Sequence, residues 1–158
     1  MPRVVEKVHS AEFCSAPSFA TGRKTSRGAK GKGNRYEKLL GEKLNKIFGS
    51  ANVKLGPWIK FKISPDGKDL YCQPDAIITL PSGGKAIIEA KLTQTLQGQA
   101  QLKLLYFPTV SFIFPGKKIW LVNIYKNIVL PSRWELSSLS DIPTCPHSEI
   151  LDYQFIPR

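Results

Sequence analysis

The stretch QPDAIITLPSGGKAIIEAKL, residues 73–92, decides how the chain is read. Two apolar runs, AIITL and AIIEAKL, flank PSGG. Both runs have strand length and β-branched content, and PSGG carries the residues of a tight turn. The stretch therefore predicts an antiparallel hairpin. Such runs normally fill a core, yet Asp75 opens the first, and Glu89 and Lys91 lie inside the second. In a hairpin closed at PSGG, positions 75 and 89 come back beside each other. Side chains alternate along a strand, so Glu89 and Lys91 share a face and Ala90 takes the other. The prediction is two carboxylates and one ammonium converging at one edge of a sheet.

Neighbouring carboxylates repel, which raises a pKa unless a cation lies between them. Mg²⁺ takes one or two carboxylates, several waters and a substrate phosphate oxygen. Asp75 and Glu89 thus read as metal ligands for Mg²⁺ or Mn²⁺, with the carbonyl of Ala90 as a further one. Lys91 would orient or deprotonate the attacking water, or stabilise charge developing at phosphorus. The plainer alternative is a capped turn at Asp75 and a solvated Glu89–Lys91 pair on an ordinary hairpin.

Working outward, NRYEKLLGEKLNKIFGS places Tyr36, Leu39, Leu40, Leu44, Ile47 and Phe48 at helical spacing. That predicts an amphipathic helix capped by Asn34 and stopped at Gly49. WIKFKI alternates as a strand, SPDGK is a turn, and DLYCQPDAIITL reads as one strand bent at Pro74. TQTLQGQAQLKLLYF turns helical after the hairpin and ends at Pro108. KKIWLVNIY is a buried strand, and EILDYQFI is a candidate terminal strand. The order is helix, three strands as a meander, helix, strand. That makes a small mixed sheet flanked by helices, an α/β fold.

Charge points to the partner. Lys and Arg number 23 against 12 Asp and Glu, and the pI is about 9.7. A field of this sign favours polyanions, nucleic acid above all. Residues 21–35, TGRKTSRGAKGKGNR, hold six basic residues and no acid, and so does the span 90–134. Residues 1–33 read as a flexible basic arm able to lie along phosphates. No apolar run is long enough to span a membrane. MPRVVEKVHS lacks the apolar core of a secretory signal, so an intracellular, reducing compartment is expected. Three cysteines and two histidines give no zinc spacing.

Pro74-Asp75 followed by Glu89-Ala90-Lys91 resembles the signature of the PD-(D/E)XK nuclease superfamily. The resemblance implies a restriction-endonuclease-like α-β-β-β-α-β core, here over 34–126, with 127–158 as an extension packed on it. It implies a Mg²⁺-dependent DNA endonuclease, structure-specific or sequence-specific; small size and high positive charge favour a homodimer or higher homo-oligomer. Asp75, Glu89 and Lys91 would be catalytic. Glu37 would complete the metal site from the first helix, with Glu42 in reserve. Gln101 resembles the helix Gln of RecB-like members, although Gln101 and Tyr106 are one residue further apart than in their Q-x-x-x-Y pattern. Tyr106 reads as core. DNA contacts are expected from Arg23, Lys24, Arg27, Lys30, Lys32, Arg35, Lys60, Lys62, Lys103, Lys117 and Lys118. The alternatives are a RecB-like exonuclease or a nucleic-acid-binding module without catalysis.

Overall fold

The computed structural model describes residues 5, 7–21, 28–93, 96–127, 134–135 and 150–157, of which 20, 21, 28–34, 93, 96, 97, 134 and 135 by backbone alone. The fold is mixed α/β, built on two sheets and few helices. The six-stranded sheet runs β2 (Val53–Leu55), β5 (Ala76–Thr79), β6 (Lys85–Thr93), β7 (Ile119–Asn127), β9 (Ile150–Gln154), β8 (Trp134–Glu135). The first three strands are antiparallel neighbours, and from β6 onward the pairing is parallel. A three-stranded antiparallel sheet joins β1 (Ser10–Cys14), β3 (Trp58–Lys62) and β4 (Leu70–Cys72).

The hairpin read from 73–92 forms with the register Ala76↔Ile88, Ile77↔Ile87 and Ile78↔Ala86. Its turn is closed by Leu80 N–H to Gly84 O at 2.9 Å and Gly83 N–H to Leu80 O at 2.8 Å. Gly83 sits at φ 89°, a backbone state that excludes most side chains. Both faces of the hairpin are covered, which explains apolar runs without polar alternation. Ala76, Ile78, Ile88 and Ala90 pack on one side with Tyr36, Leu40 and Leu44 of α1 (Gly28–Phe48). Ile77 and Ile87 pack on the other side with Leu102, Tyr106 and Val110, and with Ile59 and Phe61 of the small sheet.

Several sequence expectations change. First, WIKFKI is not the neighbour of the Asp75 strand. That place belongs to the short Val53–Leu55, and DLYCQPDAIITL breaks at Gln73-Pro74-Asp75 into β4 and β5, one in each sheet. Pro74 lacks the N–H that a continuous ladder needs, so the chain changes sheets there. Second, α1 starts at Gly28, not Asn34, and runs 21 residues. Ala29, Lys30 and Lys32 favour helix and no proline intervenes, so the turns extend upstream despite the glycine cost. Third, residues 1–33 are not wholly an arm, since Ser10–Cys14 is a strand paired with β3. Its SAEFC is too short and too mixed to reveal a strand without its partner. The candidate terminal strand EILDYQFI does form, as β9, and extends the main sheet.

Pro108 does not end the second helix. α2 (Leu96–Gln101) widens into a π turn at Leu102–Tyr106 and continues as α3 (Phe107–Ile113). A proline cannot donate to the carbonyl four residues back, here Leu104. Val5 N–H takes that carbonyl instead, at 2.9 Å. The Thr109 hydroxyl serves Tyr106 O at 3.0 Å and Leu105 O at 3.1 Å. With the freed carbonyls satisfied, the helix survives its proline. Among the described residues no helix is long and apolar enough to cross a membrane.

Candidate active site

The site forms where the chain leaves one sheet for the other. Gly56 N–H donates to Asp75 O at 2.8 Å, and Gln73 Nε2 donates to Gly56 O at 3.0 Å. These bonds clamp the two crossings side by side. Asp75 N–H donates at 3.1 Å to the carbonyl of Ile88, the residue paired with Ala76, which holds Asp75 at the open end of the hairpin with its carboxyl beside that of Glu89. The Asp75 side chain takes a second bond across the hairpin: Ala90 N–H donates to Oδ2 at 2.6 Å.

Glu89 is 3% exposed, and burial is costly for a carboxylate. Its Oε1 lies 3.3 Å from the Lys91 ammonium. Its Oε2 is buried with no hydrogen-bond partner among the described residues. Burial first, then the adjacent Asp75 charge, push its carboxyl up to about 8, against the pull of Lys91. Burial likewise raises Asp75, opposed by the Ala90 N–H and Lys91. Two carboxylates are thus held together where neither ionises comfortably, with one cation at hand.

Glu37 projects from α1 one position after Tyr36, which is buried and donates its hydroxyl to Phe155 O at 2.9 Å. That bond and the Tyr36–Leu40–Leu44 stripe fix the helix face. Gly41 allows α1 to approach β2: a Cβ there would lie 3.0 Å from Leu55 Cδ1. Glu37 and Asp75 line one open cavity of about 330 Å³, with Lys38, Leu55, Gly56 and Gln73. They also line a small inner void of about 20 Å³ beneath it, enough for one water. Burial of its carboxyl, then Asp75, push Glu37 up to about 7.

Among the described residues no three His, Cys, Asp or Glu side chains stand close enough together to hold a metal ion. Glu37 and Asp75 share the cavity, Glu37 reaching it from α1 and Asp75 from the hairpin. Ala90 enters through its N–H to Asp75. The pair itself suits Mg²⁺ or Mn²⁺, which need only one or two carboxylates and fill the remainder with water and phosphate oxygen. A cation there would offset the mutual repulsion and give Glu89 Oε2 a partner.

The remaining expected residues scatter. Gln101 closes α2 with a buried Oε1 that finds no hydrogen-bond partner among the described residues. Glu42 is exposed on α1. Lys60 is bound to Glu12 at 3.1 Å and Lys62 to Asp69 at 3.8 Å, so both expected DNA contacts are already neutralised locally. Arg35, Lys103, Lys117 and Lys118 are exposed. Lys30 and Lys32 lie in the first turns of α1. Arg23, Lys24 and Arg27 fall outside the described residues.

Two residues enter that sequence reasoning set aside or missed. Tyr106, read as core, is buried but donates its hydroxyl to Gln73 O at 3.2 Å. Burial, then Glu89 and Asp75, push its phenol well above the usual range, which keeps it a proton donor. The π turn preceding Pro108 sets its placement. Asn123 is fully buried, stands beside Glu89 in the β6–β7 register, and donates from Nδ2 toward Asp152 Oδ1 at 3.4 Å. The signal was one Asn inside the densest apolar run of the chain, IWLVNIY.

No family model, curated protein or solved structure matches the chain.

Proposed function

We propose that the chain is a divalent-cation-dependent DNA nuclease of the PD-(D/E)XK kind. The observation that carries this reading is Glu89, buried beside the half-buried Asp75 carboxylate and flanked by Lys91, with its Oε2 lacking a hydrogen-bond partner among the described residues. A structural ion pair has no use for a second carboxylate. The element order supports it too. α1, β2, β5, β6, the α2–α3 helical segment and β7 follow the α-β-β-β-α-β sequence of a restriction-endonuclease-like core, with β3 and β4 inserted between its first two strands.

Asp75 and Glu89 would hold Mg²⁺ or Mn²⁺. When bound, the ion supplies Lewis-acid activation of a phosphodiester and of water. The chain's own residues do the rest. The Ala90 N–H fixes Asp75, and Lys91 fixes one oxygen of Glu89. Lys91, partly exposed, is the group placed to meet a water or a non-bridging phosphate oxygen at the mouth of the site. Glu37, across the cavity, titrates near neutrality and can take a proton from incoming water. Tyr106 braces the Gln73 crossing. Two copies acting together would cut both strands of a duplex, which makes a homodimer the expected assembly.

The test is a panel of labelled linear, circular, single-stranded and four-way-junction DNA with and without Mg²⁺ or Mn²⁺, for wild type and Asp75→Asn. Cation-dependent cleavage by the wild type alone is expected. A second reading, a DNA-binding module without catalysis, draws support from the lack, among the described residues, of a third acid close to the pair. Cation-independent binding with no cleavage of any substrate would favour it.

A further inference from the structure

Away from the carboxylates, three lysines neighbour one another, and two of them lie over aromatic rings. Lys54 Nζ lies 4.6 Å above the Phe13 ring and Lys85 Nζ 4.5 Å above Phe114. The two rings pack at 5.9 Å between centroids, tilted by 54°. Lys85 also donates to Thr79 Oγ1 at 2.8 Å. Lys117 follows closely: Lys85 N–H donates to Lys118 O at 2.8 Å, and Lys117 Nζ lies 3.9 Å from where a Cβ on Gly83 would be. Among the described residues none of the three has a carboxylate within ion-pair distance, unlike Lys60, Lys62 and Lys91. Three uncompensated ammoniums held close together are costly unless an anion joins them. Burial, with Lys117 and Lys54 nearby, lowers the Lys85 pKa, as such crowding requires.

We infer that Lys54, Lys85 and Lys117 form a binding site for the phosphodiester backbone of DNA, separate from the carboxylate site. The spacing supports that ligand, and the inference in this form rests on the nuclease reading. Lys85 bonds Thr79, and Thr79 lies four residues along β5 from Asp75, about 13 Å at strand rise. That span covers about four base pairs of duplex at 3.4 Å each. Lys54 lies on edge strand β2, two positions before Gly56, which lines the cavity of the carboxylate site. The aromatic rings hold the Lys54 and Lys85 ammoniums in place, and Lys85 is half-buried, which strengthens its phosphate contact. The strand being cut would be gripped a few nucleotides to one side of the scissile bond.

The experiment measures binding of a fluorescein-labelled 20-base-pair duplex in EDTA by anisotropy across a sodium chloride series. Wild type is compared with the triple variants K54A/K85A/K117A and K54R/K85R/K117R. Each phosphate contact contributes about 0.9 to the slope of log affinity on log salt. The alanine variant is expected to lose two to three such contacts and to weaken at least tenfold at 100 mM salt, while the arginine variant keeps the wild-type slope. An alanine variant that melts like wild type yet keeps the full slope overturns the site. So does lysine-dependent binding to phosphatidylserine vesicles with DNA binding unchanged. If wild type cleaves no DNA with Mg²⁺ or Mn²⁺ but the slopes separate as stated, the nuclease reading falls and the phosphate site stands. If cleavage occurs and the slopes coincide, the reverse holds.

Discussion

The Ala90 amide and the Asp75 carboxylate meet at 2.6 Å across the open end of the hairpin, where no further strand pairing continues between β5 and β6. A side chain thus extends the ladder by one rung. The bond holds one carboxylate by a backbone donor that does not titrate, while its neighbour Glu89 is held by a mobile ammonium. One acid is fixed and the other is adjustable, a division suited to binding and releasing an ion.

Because the pair is strained electrostatically, removing one charge should help the fold while ending catalysis. Asp75→Asn retains an acceptor for Ala90 N–H, and Glu89→Gln retains the shape of the side chain. In EDTA at pH 8 each is expected to stabilise the protein by about 1–2 kcal/mol, the scale of a relieved buried like-charge contact. Urea denaturation measures the gain, and cleavage should fall at least a hundredfold. Marked destabilisation of both variants would identify the acids as structural.

The same strain fixes the sign of the pH dependence. Glu89 is pushed up to about 8 and Glu37 to about 7, above their unfolded values. A group whose folded pKa is raised binds its proton more tightly in the native state. Its stabilising effect is complete below the unfolded pKa and disappears as pH rises through the folded one. In EDTA the melting temperature is therefore expected to fall between about pH 4.5 and pH 8. Millimolar Mg²⁺ or Mn²⁺ at pH 8 should restore part of it. A melting temperature that rises over that range would contradict the burial of these carboxyls. Glu89→Gln should flatten the profile.

The hairpin and its acids were legible because they depend on local rules: a glycine turn, alternation, and a register counted back from PSGG. The placement of the first core strand was not. VKL has only three residues and no periodicity to read, whereas WIKFKI alternates cleanly and drew the assignment. Which sheet a strand joins is decided by non-local packing, here of Ile59 and Phe61 against Leu102, Tyr106 and Val110. Pro108 misled for a related reason. Its local meaning is a helix stop, and only a distant donor, Val5, makes a continuing helix affordable. Tyr106 was read as core because its burial is real; its hydroxyl partner, Gln73 O, lies in another element.

That hydroxyl gives a graded prediction. Tyr106→Phe removes one hydrogen bond to the Gln73 crossing and costs about 1 kcal/mol of stability. Tyr106 supports Asp75 and Glu89 without replacing either, so cleavage should drop about 10- to 100-fold, with DNA affinity unchanged. Urea denaturation and single-turnover cleavage separate the two effects. A variant with wild-type cleavage would confine Tyr106 to packing.

The N-terminal segment requires two different experiments. Deleting residues 1–33 would remove more than a basic arm. It would strip β1 from β3 and take away the Val5 N–H that satisfies Leu104. Loss of the buried Val5 side chain alone costs about 1.5–3 kcal/mol, so the deletion is expected to lower the melting temperature sharply and to confound any binding measurement. Replacing Arg23, Lys24 and Arg27 with Gln leaves these contacts in place. That variant is expected to melt like wild type and to bind a DNA duplex with a salt slope shallower by about two to three. An unchanged slope would mean that these three charges do not reach the phosphates. The basic contribution would then come from the folded body, where Lys54, Lys85 and Lys117 have no carboxylate within ion-pair distance among the described residues.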